Sequence, residues 1–150
     1  METLDKAKLI PQAQSVKEKG FEVLYFTDYV DEFAIKMIGK YEEFEFKNVC
    51  DNTLELDSDE DKEKLDKKNE KAKDMFKIMK EAIEVKDIRF TNNLTNHPVC
   101  LSSDGEVSAS MEKVLNAMPT DNKVSADKIL EINVKHKIAK KLNELYKEDK

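Results

Sequence analysis

The chain has 150 residues and a net charge of −6. Its equal shares of charged and hydrophobic residues, 39% each, predict small cores beneath a highly charged surface. An acidic balance argues against a general nucleic-acid binder, which needs a basic face, and no signal peptide or long apolar run is present. We therefore expect a cytoplasmic protein without nucleic-acid or membrane partners, large enough for one domain or two small ones.

The first fifty residues predict an α-β-α-β order. A helix is expected from about Pro11 to Gly20, since glycine suits the left-handed position after a helix. The run 21–26 is apolar on nearly every side, which is typical of a buried strand. Thr27 or Asp28 is then expected to cap the second helix.

That second helix is predicted to have one apolar face. Its apolar residues recur at spacings of three and four; they are Val30, Phe33, Ala34, Met37, Ile38 and Tyr41. Phe33 is expected in the core, since it shares this face with Val30 and Met37. A second strand is predicted at 44–49, parallel to the first because a helix connects the two.

Residues 51–66 are mostly charged and polar, and they are the best candidate for a boundary. Two interpretations stay open, a flexible linker or the solvated start of a long helix. A second apolar stripe at helical spacing follows; it consists of Ala72, Met75, Phe76, Met79, Ala82 and Ile83. We accordingly divide the chain into residues 1–50 and residues 51–150.

The second part predicts an α-β-β-α-β-α order. After the helix of the second stripe, strands are expected at 87–91, 98–102 and 128–133, with helices at 106–118 and about 138–146. The predicted fold class is therefore α+β, built as two small α/β layers.

The sequence contains no recognisable catalytic or metal-binding motif. Its three glycines are isolated and form no phosphate loop. His97 and His136 lack partner ligands at metal-binding spacing and are interpreted as ordinary surface residues. Cys50 and Cys100 form no CxxC pair and are interpreted as small core residues. We expect no catalytic residue and no metal, although a thiol enzyme using one of the two cysteines is kept as a third hypothesis.

Three segments, in order, resemble one protein family. They are Lys19–Phe33 (KGFEVLYFTDYVDEF), Val85–Leu101 (VKDIRFTNNLTNHPVCL), and Gly105–Leu115 (GEVSASMEKVL) followed by Lys128–Asn133 (KILEIN). Together they resemble the heat-shock protein 90 chaperones of the bacterial HtpG type, along essentially the whole chain. The chain departs from the family at Asn93, Lys137 and Val107, where arginine, proline and methionine are common.

The resemblance implies a non-enzymatic piece of an ATP-dependent chaperone. It places residues 1–50 at the end of the family's middle domain and residues 51–150 in its carboxy-terminal domain. The family's ATP and Mg site and its catalytic arginine lie upstream, so no cofactor is expected here. The family's homodimer is made mainly by two helices that follow the position of Lys150, so this chain is expected to be a monomer.

The resemblance also implies contact with unfolded or partly folded client proteins. The helix that begins at Glu106 carries an apolar face and corresponds to an exposed amphipathic helix of the family. The candidate residues on it are Val107, Met111, Val114, Leu115 and Met118. Phe33 and Lys36 lie on a helix that resembles a second contact surface. Two alternatives stay open: the apolar face packs on its own domain, or the chain is a free-standing interaction module for one partner.

Overall fold

A computed structural model describes residues 3–51, 54, 56–119, 121 and 123–148. The helices are α1 (Leu4–Lys8), α2 (Pro11–Glu18), α3 (Asp31–Ile38), α4 (Asp59–Ala82), α5 (Ala109–Ala117) and α6 (Lys137–Glu148). The strands are β1 (Lys40–Tyr41), β2 (Phe44–Glu45), β3 (Asp87–Thr91), β4 (Val99–Asp104) and β5 (Asp127–Asn133). This mixture of helices and small sheets confirms the predicted α+β class.

The larger sheet has its last strand at its centre. Its order is β3-β5-β4, with β5 parallel to β3 and antiparallel to β4. From α4 onward the elements follow the predicted α-β-β-α-β-α order, and each predicted strand is present. Helix α5 begins at Ala109, later than expected, because Ser108 is extended and caps it.

One face of this sheet packs against α4 and α6. The buried residues of this core are Ala72, Met75, Phe76, Ile88, Phe90, Ile132 and Ala139. The rings of Phe76 and Phe90 meet edge to face with their centroids 4.9 Å apart. The stripe predicted on α4 therefore does face the core, but it stops before Ala82 and Ile83, which are exposed.

The opposite face of the sheet contains a buried charge. Arg89 of β3, Glu131 of β5 and Cys100 of β4 are direct neighbours across the strands. Glu131 is only 2% exposed. Its carboxylate oxygen Oε1 accepts a hydrogen bond of 3.0 Å from Arg89 Nε. Its other oxygen lies 3.6 Å from Cys100 Sγ, which donates to it. A buried carboxylate is tolerable here because a guanidinium pairs with it.

Helix α2 and the turn at Cys50 contact the outer edge of β4. Helix α2 begins at Pro11 as predicted, and Gly20 follows it with a φ of 85°. The side chain of Gln12 donates a 3.2 Å hydrogen bond to the carbonyl of Leu101. Farther along β4, the amide of Ser103 donates to the Cys50 carbonyl at 3.0 Å. These bonds satisfy edge groups that would otherwise be open to another strand.

The prediction of a buried strand at 21–26 is wrong. The segment has no regular secondary structure and belongs to no sheet, and Phe21, Leu24 and Phe26 are exposed. The predicted parallel pairing of residues 1–50 is wrong as well, because β1 and β2 form a short antiparallel hairpin. An apolar run predicts burial, but a strand also needs a partner, and the described residues supply none for this segment.

Helix α3 also departs from the prediction. Neither Thr27 nor Asp28 caps it; instead Asp31 Oδ2 accepts hydrogen bonds from their backbone amides at 3.1 and 2.9 Å. The predicted apolar face exists, but Met37 is 89% exposed and Val30 is exposed too. The expectation that Phe33 lies in the core beside them is therefore wrong, and Phe33 is half-buried.

The charged segment 51–66 combines loop and helix. Helix α4 starts at Asp59, where the Ser58 hydroxyl caps the helix by accepting from the Asp61 amide at 3.3 Å. Ahead of it, Asp51 forms an isolated parallel bridge with Ser103. Residues 52, 53 and 55 lie outside the described residues. The later part of the segment is thus the solvated start of a long helix, one of the two predicted alternatives.

We expect Phe76→Ala to lower the free energy of unfolding by about 3–5 kcal/mol, because it removes a buried ring and leaves a cavity. Urea unfolding followed by circular dichroism measures this. The matched control is Ile78→Ala, on the same helix but exposed, which is expected to change stability by less than about 0.5 kcal/mol. Equal losses in the two variants would contradict this packing.

Arg89→Leu is expected to cost about 3–5 kcal/mol, since it leaves the Glu131 carboxylate buried without its partner. Replacing both residues with leucine is expected to restore most of that loss. The same urea titration decides the matter. If the double variant is no more stable than Arg89→Leu, the pair is not the reason for the loss.

Candidate functional site

The start of α5 is fixed to β4 by two serines. The Ser108 hydroxyl accepts from the Met111 amide at 3.1 Å and thereby caps the helix. Ser103, on β4, accepts from the Ala109 amide through its hydroxyl at 3.2 Å. Two of the amides that a helix start leaves unpaired are therefore bonded, and the helix begins at a defined place on the sheet.

The end of α5 is held by an amide side chain. Asn116 Nδ2 donates to the Val124 carbonyl at 2.8 Å, and Asn116 Oδ1 accepts from the Val124 amide at 2.9 Å. Between the two ends of the helix, Glu112 forms an ion pair with Lys128 of β5, with Lys128 Nζ 3.0 Å from Glu112 Oε2. The hydrogen bond from Lys128 lowers the pKa of Glu112 below its usual range. Helix α5 is therefore anchored along its length.

The residues predicted on the apolar face of α5 differ in how far they are buried. Met111 is buried, whereas Val107, Val114 and Leu115 are half-buried. Met118, just after the helix, is 45% exposed. One residue of the predicted set therefore anchors the helix, and the others remain partly open to solvent.

Helix α3 lies beside the start of α5. Lys36 Nζ donates a hydrogen bond to the Glu106 carbonyl. The structure therefore brings the second candidate surface, that of Phe33 and Lys36, next to the first. Sequence spacing could not predict this contact, because Lys36 and Glu106 are 70 positions apart.

A cleft of about 130 Å³ separates the two candidate helices. We call it the α3–α5 cleft; its lining residues are Phe26, Thr27, Asp28, Tyr29, Asp31, Glu32, Ser110, Lys113 and Val114. Of the residues predicted from sequence, only Val114 lines it. Phe26 was missed because the run 21–26 was assigned to a buried strand, and Tyr29 lies outside the predicted apolar face of the next helix.

Half of the large exposed apolar side chains among the described residues come from one stretch of the chain. In residues 21–44 they are Phe21, Leu24, Phe26, Tyr29, Val30, Met37, Ile38, Tyr41 and Phe44. We call this set the 21–44 apolar surface. Concentrated apolar exposure of this kind is typical of a surface that contacts another polypeptide.

The cysteines and histidines do not form a metal site in the described parts of the chain, where no three potential ligands converge. Cys100 is buried, and burial together with the neighbouring Glu131 strongly raises the pKa of its thiol. His136 Nδ1 accepts from the Ile138 amide at 3.2 Å, at the start of α6. Such a thiol is a poor nucleophile, which argues against the thiol-enzyme hypothesis for Cys100.

Comparison with known proteins identifies the family. The family model described as Hsp90 protein matches residues 1–150. The chain belongs to the heat-shock protein 90 family. Proteins named Chaperone protein HtpG are 50% identical in Clostridium acetobutylicum, 46% in Clostridium botulinum and 44% in Bacillus subtilis. The matches cover 99% of this chain but only 24% of each relative.

The heat-shock protein 90 match confirms the resemblance inferred from the three sequence segments and its bacterial HtpG type. The chain spans about a quarter of the length of the relatives it matches, since it covers 24% of them. None of the described helices is long and apolar enough to cross a membrane.

Cys100 is expected to react with iodoacetamide at pH 8 at least about tenfold more slowly than a free peptide cysteine, because its raised pKa leaves little thiolate. Peptide mapping after timed alkylation gives the rate, and urea-unfolded protein is the control in which Cys100 reacts normally. A native rate above that of the unfolded protein would favour the thiol enzyme instead.

Proposed function

We propose that this chain is the client-contact and interdomain part of a heat-shock protein 90 chaperone, and that it binds unfolded or partly folded proteins. The observation that carries the proposal is the position of α5. A helix fixed at both ends presents the half-buried Val114 and Leu115 beside α3, with the half-buried Val107 just before the helix and the exposed Met118 just after it. A rigid helix with a partly open apolar face can hold an apolar segment without first ordering itself.

The chemistry of this face suits varied partners. Methionine is flexible and polarizable, so Met118 adapts to apolar side chains of different shape. Lys113 and the acidic residues Asp28 and Glu32 border the α3–α5 cleft and add polar contacts at its rim. An apolar strip with a polar border favours weak binding of many partly unfolded chains, which is what a chaperone requires.

The 21–44 apolar surface supports the interdomain part of the proposal. Its nine large apolar side chains are exposed in this chain, and the relatives contain a further three quarters of sequence outside the match. We propose that other parts of a longer chain pack against this surface.

We also propose that this part of the chaperone binds no nucleotide and is a monomer by itself. The α3–α5 cleft, at about 130 Å³, and a second cavity of about 230 Å³ beside Leu65 and Arg89 are both smaller than an ordinary ligand pocket of about 300 Å³ or more. Asp28, Asp31 and Glu32 on the wall of the α3–α5 cleft would repel phosphate groups. ATP hydrolysis by the whole chaperone would therefore take place outside this region.

The alternative is a free-standing module that binds one specific partner. The same anchored helix would serve it, so selectivity is what separates the two. A chaperone surface suppresses aggregation of several unrelated denatured proteins, whereas a dedicated module acts on none of them or on one.

We expect the chain to slow the aggregation of two unrelated denatured proteins, followed by light scattering. The double variant Val114→Ser and Met118→Ser is expected to lose at least roughly half of this effect, because it removes apolar contact area from the open part of the face. Met111 is left unchanged, since its burial would confuse binding with unfolding.

The matched control is Leu145→Ser on α6, whose side chain is 44% exposed, close to the 45% of Met118. It is expected to suppress aggregation as well as the unaltered chain, and circular dichroism checks that all variants are folded. Equal loss in the control would mean that suppression is nonspecific. Suppression of neither denatured protein would contradict client binding by this region.

A further inference from the structure

The α3–α5 cleft has two walls that come from distant parts of the chain. One wall is the segment 26–32 at the start of α3, and the other is the side of α5 at residues 110–114. Asp31 Oδ2 holds the first wall by accepting from the amides of Thr27 and Asp28 at 3.1 and 2.9 Å. The second wall belongs to a helix that is anchored at both ends. The cleft is therefore already formed in the chain by itself.

The cleft is lined by apolar side chains and is small. The exposed rings of Phe26 and Tyr29 line one wall, and the half-buried Val114 lines the other. Its volume of about 130 Å³ is close to that of an apolar cavity that holds benzene, roughly 150 Å³. A space of this size suits one large apolar side chain, such as that of leucine or phenylalanine. It is too small for a folded helix or a strand.

The rim of the cleft is acidic. Three carboxylates line it, those of Asp28, Asp31 and Glu32, and Lys113 supplies the one ammonium group among the lining residues. Glu32 Oε1 accepts from Asn48 Nδ2 at 3.1 Å, and Asp31 accepts from two backbone amides. Amide donors are neutral, so these bonds fix the positions of the carboxylates without cancelling their charge. Three negative charges and one positive charge leave −2 at the rim, which attracts a cation.

We propose that the α3–α5 cleft binds one large apolar side chain of a client segment in which a lysine or arginine lies next to that side chain. The inference rests on the proposed client binding and names the kind of segment that is selected. No three potential metal ligands converge in the part of the chain that the structure describes, so the complementary cation is one carried by the polypeptide. The long apolar stem of lysine or arginine can cover the ring of Tyr29 while its charged end reaches the rim.

The same charges select against acidic segments. A glutamate next to the apolar side chain would meet the carboxylates of the rim, and like charges placed together lower the affinity for that partner. Charge pairs at an exposed rim contribute modestly, so the preference is a matter of several-fold in affinity. It weakens as salt screens the charges.

The test measures the binding of three fluorescently labelled short peptides to the whole chain by anisotropy. Each has one central phenylalanine, flanked on both sides by lysine, glutamine or glutamate. At low salt we expect the lysine peptide to bind at least about threefold more tightly than the glutamine peptide, and the glutamate peptide to bind least. Added salt is expected to reduce these differences. Replacing the phenylalanine with alanine is expected to weaken the lysine peptide at least about threefold, because apolar burial is lost.

Two double variants separate the rim from the net charge of −6. Asp28→Asn with Glu32→Gln removes two rim charges at nearly constant size and is expected to lower the affinity for the lysine peptide to that for the glutamine peptide. Asp31 is left unchanged because its carboxylate holds the wall. Glu63→Gln with Glu81→Gln removes two exposed charges of α4 that do not line the cleft, and is expected to keep the preference. Circular dichroism checks that both variants are folded.

The outcomes distinguish this inference from the proposed function. Equal affinities for the lysine and glutamine peptides overturn the inference, whereas client binding stands if aggregation is still suppressed. Equal loss of the preference in both double variants assigns it to the overall charge and also overturns the inference. If no peptide binds although aggregation is suppressed, clients are held elsewhere and the cleft is not their site. If neither binding nor suppression occurs, the proposed function fails together with the inference.

Discussion

The insertion of β5 between β3 and β4 is the constraint on which the rest of the structure depends. Both outer strands pair only with β5 within the sheet, so no sheet exists until the last strand of the chain has arrived. One face of β5 contributes Ile132 to the core beneath α4 and α6. Its other face contributes Glu131, which ties β3 to β4 through Arg89 and Cys100. Successive residues of this strand thus point to opposite faces of the sheet, as the two-residue period of a strand requires.

A second consequence of this order is that β4 becomes an edge strand, and the first fifty residues cover that edge. Gln12 and Cys50 bond Leu101 and Ser103, while Lys19 contacts Asp57 at 3.3 Å. The division at residue 50 is a proposal about domains in the whole chaperone. In this chain the two parts share hydrogen bonds along β4, the strand that carries Cys100 and supports the start of α5.

In the proposed function, stability and client binding would use different residues in and next to α5. Met111 anchors α5, and the serines at its start and Asn116 at its end fix its position, so none of these can be changed without risk to the fold. The residues left partly open, above all Met118, contribute little to the core and are available for contact. This division explains how a stripe of apolar residues at helical spacing can belong in part to the core and in part to a surface.

The sequence by itself determined the fold class, the order of elements from α4 to α6, and the family, because these depend on local periodicity and on motifs that lie in order along the chain. It also identified the α5 face, though not the depth of each residue on it. Only the tertiary structure decided that residues 21–26 form no strand, that α3 exposes Met37, and that Phe26 and Tyr29 line a cleft with α5. The physical reason is that apolar periodicity indicates which side chains favour burial, but not what buries them. Burial and strand pairing depend on partners that are distant in sequence. The meeting of Cys50 with β4 has the same origin, since no spacing rule links two residues that a sheet edge brings together.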